Sequence, residues 1–188
     1  MGSSWFIFGF RRYFCRDYES DVNGMTRMQY FDPFPKNRGD ELGNMASYRK
    51  HPHRGSDWGA KKAIENQPIR AITNGRVKKI FWSDVLGHCL VQSSGDGINW
   101  LYAHLAAAPT LPMNSLLVGG QTVIGLVGGG RKTPSGSAST GAHLHMAGAK
   151  GTLDVHLAPY DKLVDVHKHI DQNNKPVQTL IQNPEGIS

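Results

Sequence analysis

Ser139-Thr140-Gly141-Ala142-His143-Leu144-His145-Met146 is the stretch on which the reading of this chain turns. Read as a strand, it alternates side chains with period two, so His143 and His145 share a face. Two imidazoles on one face can share a metal, or one can bind it while the other serves as acid or base. The run from Gly128-Gly129-Gly130 to Gly141 is a long, turn-rich loop suited to delivering that strand into a cleft.

Two other segments pair with it. His53-Arg54-Gly55-Ser56-Asp57 carries an imidazole and a carboxylate four apart, and Tyr102-Ala103-His104-Leu105 closes an apolar run on a histidine. Catalytic zinc takes three protein ligands from His, Asp, Glu or Cys and keeps one position open. His53, Asp57 and one histidine of the pair supply such a set, leaving His104 and the other histidine for proton transfer. Each piece alone is unremarkable, since a lone His-x-His is more often a surface strand. The ordered combination carries the argument.

That combination resembles the lysostaphin-type, or LytM-like, zinc metallopeptidases, which cut the peptide part of bacterial peptidoglycan. Their pattern runs His-x-x-x-Asp, Tyr-x-His-Leu, then Ser-Thr-Gly-x-His-Leu-His, and all three motifs stand here in order between Tyr48 and Met146. Gly119-Gly120-Gln121-Thr122-Val123-Ile124-Gly125 matches a further Gly-x-x-Ile-Gly stretch, and Arg49 with His51-Pro52 resembles the Arg-x-His-Pro before the first motif. The resemblance implies one Zn2+ per chain held by His53, Asp57 and His145, with His104 and His143 as the catalytic histidines. It sets Tyr102 and Asn44 on the substrate groove. Related proenzymes block zinc with an upstream asparagine, whereas the residues alone make Asn44 a turn residue after Gly43. His51 is read as a neighbour of the site. The chain departs from the pattern at Met146 and Ala147, where the family has an aromatic and a Glu, and in an inserted Arg131-Lys132-Thr133-Pro134-Ser135.

The 188 residues, 39% apolar and 19% charged, suit one globular domain with modest extensions. Frequent Gly and scarce helical periodicity favour short strands. Pro68–Ile72 and Arg76–Trp82 alternate around Thr73-Asn74-Gly75; His88–Gln92 and Ile98–His104 flank the hairpin signal Ser94-Gly95-Asp96-Gly97; Gln121–Val127 adds another strand. The residues alone give a mainly antiparallel β protein with its groove on one sheet face. The resemblance adds a compact split-barrel sandwich of the duplicated hybrid-motif type, with long groove-lining loops. The expected organisation is an N-terminal extension at 1–28, a metallopeptidase domain at 29–172 and a C-terminal tail at 173–188. His167-Lys168-His169, a second His-x-His, lacks the glycine-rich approach and reads as surface.

A formal charge of +6 suits an anionic partner such as a bacterial wall. No basic block or arginine–aromatic alternation marks a nucleic-acid reader, and no apolar run reaches the length of a membrane span. Cys15 and Cys89 imply no disulfide framework. Trp5–Phe10 precedes Arg11-Arg12, the reverse of a secretory leader. The expectation is therefore synthesis in the cytoplasm without a signal peptide, then action on the wall after release or as a virion component. The leading function is a zinc endopeptidase cutting peptidoglycan cross-links, as a phage-type lysin. The alternatives are a non-catalytic relative that binds wall or activates an amidase, and a virion structural component.

Overall fold

The computed structural model describes residues 28–59, 64–130 and 138–174. Nine strands occur among them: β1 (Ser56–Trp58), β2 (Pro68–Arg70), β3 (Gly75–Ser83), β4 (Gly87–Ser94), β5 (Ile98–Leu105), β6 (Leu116–Leu117), β7 (Val123–Leu126), β8 (Leu144–Lys150) and β9 (Leu163–Val164). One helix, α1 (Val166–Asn173), follows. The main antiparallel sheet has the order β1-β8-β5-β4-β3-β6, with β9 also pairing β8, and β2 with β7 forms a separate two-stranded sheet. The mainly antiparallel reading is borne out, and the hairpin at Ser94–Gly97 joins β4 to β5 as expected. No helix among the described residues is long and apolar enough to cross a membrane.

Alternation divides the main sheet into two unequal faces. Trp58, Leu90, Trp100, Tyr102, Leu144 and Met146 point into the principal core, where Ile69, Ile72, Ile124 and Val127 close over them. On the opposite face stand the small residues Cys89, Ala103, Ala147 and Ala149, covered by Val155 and Ala158. Met146 and Ala147, the two departures from the family pattern, are thus both buried packing residues. Cys89 is free and buried, while Cys15 lies outside the described residues.

Two expectations need correction. His167 is buried and His169 half-buried, so neither is a free surface residue. His167 is only 2% exposed and meets Trp58 edge-on at 4.4 Å. His169 meets Tyr30 at 4.6 Å. Both lie on α1, whose Val166 and Ile170, four apart, insert into the principal core. Asp165 caps the helix by accepting from Lys168 N at 3.1 Å. Eight residues give a weak periodic signal, and tertiary packing decides the element. The packed domain also extends slightly past both expected boundaries. Met28 packs on the core, and Asn174 Nδ2 donates to the Tyr30 carbonyl at 2.6 Å. The rest of the expected extension and tail lies outside the described residues.

Burial is the largest cause lowering the pKa of each of His145, His156, His167 and His169. Unfolding frees these rings to take up protons below an ordinary histidine pKa of about 6.5. Their contribution is therefore present above about pH 6.5 and is lost as pH falls through the lower folded-state values. Urea midpoints measured with chelator present should drop between pH 7.5 and pH 5.5. His167→Phe keeps a ring against Trp58 but removes one proton-binding group, so its drop should be smaller; an equal drop would remove His167 from the account.

Candidate metal centre

The site is assembled by register. β1 runs antiparallel to β8 with Ser56 opposite Met146, Asp57 opposite His145 and Trp58 opposite Leu144. Trp58, Leu144 and Met146 point into the core, so Asp57 and His145 emerge together on the other face. His53 arrives from the turn before β1. Its amide donates to the Asn44 carbonyl at 3.0 Å, and its carbonyl accepts from Gly43 N at 2.8 Å.

The side chains of these three residues converge. Asp57 Oδ1 lies 2.8 Å from His145 Nδ1 and 3.3 Å from His53 Nε2, and those two nitrogens are 3.1 Å apart. His53 Nδ1–H donates to the Glu41 carbonyl at 3.1 Å, which leaves the Nε2 lone pair facing the carboxylate oxygen. Acceptors this close repel unless a cation or proton lies among them. Four tetrahedral donors at zinc bond lengths stand about 3.3 Å from one another. The residues fit the metal.

Electrostatics agree with that donor set. Burial pushes the Asp57 carboxyl up, but its hydrogen bonds and charge interactions with His145 and His53 outweigh this and hold it well below the usual carboxylate range. Burial lowers the His145 pKa against the opposing pull of Asp57, which favours the neutral, ligating imidazole.

Two further histidines flank this group. His143 lies just before β8, and its Nδ1–H donates to the Gly141 carbonyl at 3.0 Å. Its Nε2 is consequently the basic nitrogen and lies 4.0 Å from Asp57 Oδ1. The His104 ring centre is 4.6 Å from that of His143 and 6.0 Å from that of His145.

His104 reaches this face through a bulge. Where β4 advances two positions from His88 to Leu90, β5 advances three between Tyr102 and Leu105. His104 takes a left-handed backbone, φ 58°, and its amide donates to the Leu86 carbonyl at 2.8 Å. The extra residue breaks the period-two alternation that would set Tyr102 beside His104. Tyr102 is accordingly not a groove residue. It is fully buried in the core, donating to Gln92 Oε1 at 2.6 Å and accepting from Ile72 N at 2.8 Å. Asn44 has the turn role: its Oδ1 accepts from Ala46 N at 3.0 Å while its carbonyl supports His53. His51 is exposed and stands outside the converging group. The Arg131–Ser135 insert lies outside the described residues.

Sequence reasoning gave Arg49 no part in the site, yet its Nη2 lies 3.4 Å from Asp57 Oδ2. Its place in the Arg-x-His-Pro stretch before the first motif was the available signal. Gly55 is needed there for space. A Cβ there would clash with the Met146 carbonyl and stand 2.7 Å from His145 Cε1. Gly55→Ala should therefore destabilise the domain by about 1–3 kcal/mol through overpacking and reduce zinc uptake. Gly141→Ala, with open space around its added methyl, should change stability by less than about 0.5 kcal/mol. Urea denaturation and metal analysis of both variants check the contrast.

The profile of peptidase family M23 matches residues 51–157. The solved structure of LytU aligns with 77% of this chain and 91% of its own, at 25% identity and a TM-score of 0.57. The catalytic domain of the antimicrobial peptidase lysostaphin from Staphylococcus simulans aligns over 71% and 91%, at 20% identity and 0.55. A variant of the catalytic domain of the prophage-encoded M23 protein EnpA from Enterococcus faecalis aligns over 74% and 95%, at 23% and 0.57. No curated protein matches the chain. These likenesses bear out the LytM-like resemblance and its fold.

Proposed function

We propose, from the premise that the chain belongs to peptidase family M23, that it is a zinc-dependent endopeptidase cutting peptide cross-links of bacterial peptidoglycan. M23 peptidases are zinc metallopeptidases of the peptidoglycan-hydrolase type. The observation that carries the reading to this chain is the convergence of His53 Nε2, Asp57 Oδ1 and His145 Nδ1, all within 4.8 Å of one another. Two imidazoles stand beside them at 4.6 Å from each other. A wall-binding relative without activity has no need of that complete set.

His53, Asp57 and His145 would hold the zinc. The ion supplies Lewis acidity, lowering the pKa of water to about 7 and polarising a carbonyl. His143 is positioned to work as the base. Its Nδ1 proton is committed to the Gly141 carbonyl, so Nε2 can take the proton of the attacking water. The same nitrogen then returns the proton to the departing amine. His104, held by the bulge against His143, donates a hydrogen bond to the oxyanion that develops as the peptide carbonyl is attacked. Tyr102 contributes only by fixing β5 in the core.

The test separates holding the metal from moving the proton. His145→Ala should lose zinc and activity together, as measured by metal analysis and release of new amino termini from purified walls. His143→Ala and His104→Ala should keep stoichiometric zinc and lose about 100- to 10,000-fold in rate. Full zinc in His145→Ala would overturn the ligand set, and wild-type cleavage by His143→Ala would overturn the base.

A further inference from the structure

We propose that Arg49 is the positioning residue of the metal centre: its guanidinium engages one oxygen of Asp57 so that the other is presented to His53 and His145. This rests on the reading of Asp57 as a ligand. The two oxygens of that carboxylate face different partners. Oδ1 lies 2.8 Å from His145 Nδ1 and 3.3 Å from His53 Nε2. Oδ2 lies 3.4 Å from Arg49 Nη2. A carboxylate with both oxygens free can bind a cation through both; with one engaged it offers a single donor, which preserves an open coordination position.

Arg49 is itself held in place. The same Nη2 lies 2.9 Å from Asp40 Oδ2, and the guanidinium carbon sits 5.2 Å from the centre of the Tyr48 ring. The Tyr48 hydroxyl donates to Asp40 Oδ2 at 3.0 Å. The Asp40 carbonyl accepts from Asp57 N at 2.8 Å, so the clamp is fastened to the strand that carries the ligand. Asp40 also offsets the charge of Arg49, which would otherwise oppose a nearby dication. An exposed ion pair would contribute little. Here the Asp57 and Arg49 side chains are only 14% and 20% exposed.

The experiment measures zinc affinity of the full chain by competition with a chromogenic chelator, for wild type, Arg49→Gln and Arg49→Lys. Thermal midpoints of the metal-free proteins and cobalt(II) absorption spectra are recorded in parallel. Arg49→Gln should bind zinc about 10- to 100-fold more weakly, the usual effect of removing an outer-shell partner. Arg49→Lys should recover part of that loss. The cobalt(II) spectrum of Arg49→Gln should weaken as Asp57 becomes free to bind through both oxygens. A merely structural role would lower the metal-free midpoint and leave the affinity and spectrum of the folded protein unchanged. Zinc affinities of both variants within twofold of wild type would overturn the inference. If Arg49→Gln does not fold, an unchanged affinity in Arg49→Lys overturns it. A wild-type chain that takes up no zinc overturns the metal reading as well, whereas unaltered variants of a zinc-binding wild type overturn the role of Arg49 alone.

Discussion

The antiparallel pairing of β1 with β8 is the constraint on which the site depends. Directly opposite residues in such a pair have Cβ atoms about 4.5–5.5 Å apart, so placing Asp57 opposite His145 brings two donors together without a long loop. A slip by one residue would turn Asp57 into the core and Trp58 out of it. Trp58 forbids that slip. Its side chain is fully buried, and its indole N–H donates to Asp32 Oδ1 at 2.8 Å. Apolar packing on one face thereby fixes polar geometry on the other.

A second support lies outside the main sheet's named strands. Residues 39–44 run beside β1 and the turn before it, and their backbone supports both Asp57 and His53 from that side. Gly39 N donates to the Asp57 carbonyl, Asp57 N to the Asp40 carbonyl, and Gly43 N to the His53 carbonyl, each at 2.8 Å. The Glu41 carbonyl then fixes the tautomer of His53. At Gly39 and Glu41 these contacts use main-chain atoms alone, whereas Gly43 is also needed for its left-handed backbone, φ 86°. That is why, apart from Gly43-Asn44, the segment carries no motif and its support of the site was not legible in the sequence.

What was legible followed regular geometry. The period-two reading set His143 and His145 on one face, and both rings do lie near Asp57 Oδ1, although β8 itself begins only at Leu144. Strict alternation does not hold across Tyr102 and His104, where a residue other than glycine adopts a left-handed backbone. Such a conformation costs of order 1–3 kcal/mol and persists only where surrounding structure enforces it. Here the Leu86 carbonyl receives the His104 amide and Gly128 N binds the His104 carbonyl, both at 2.8 Å. Nothing local in Tyr-Ala-His-Leu announces those distant partners. His167 failed for a related reason: Trp58 and the core covered it, and neither is near in sequence.

The inequality of the two sheet faces explains how a cluster of imidazoles and a carboxylate can persist at a sheet surface. The principal core takes two of the main sheet's three indoles, Trp58 and Trp100, together with Tyr102, Leu105 and Met146. Burying such side chains is worth about 1.5–3 kcal/mol each for the aliphatic ones, with aromatics contributing more area. The other face carries a smaller cluster in which alanines at 103, 147 and 149 stand beside Cys89, Val91 and Leu101. Small residues there contribute less burial, and two of them, Ala103 and Ala147, lie next to the histidine-bearing ends of β5 and β8. Bulk added on that face would crowd the histidines, and bulk removed from the first would release the register that aligns them. The site is therefore placed where the sheet can forgo apolar packing, at the end of β5 and β8 beside a strand whose own tryptophan secures it.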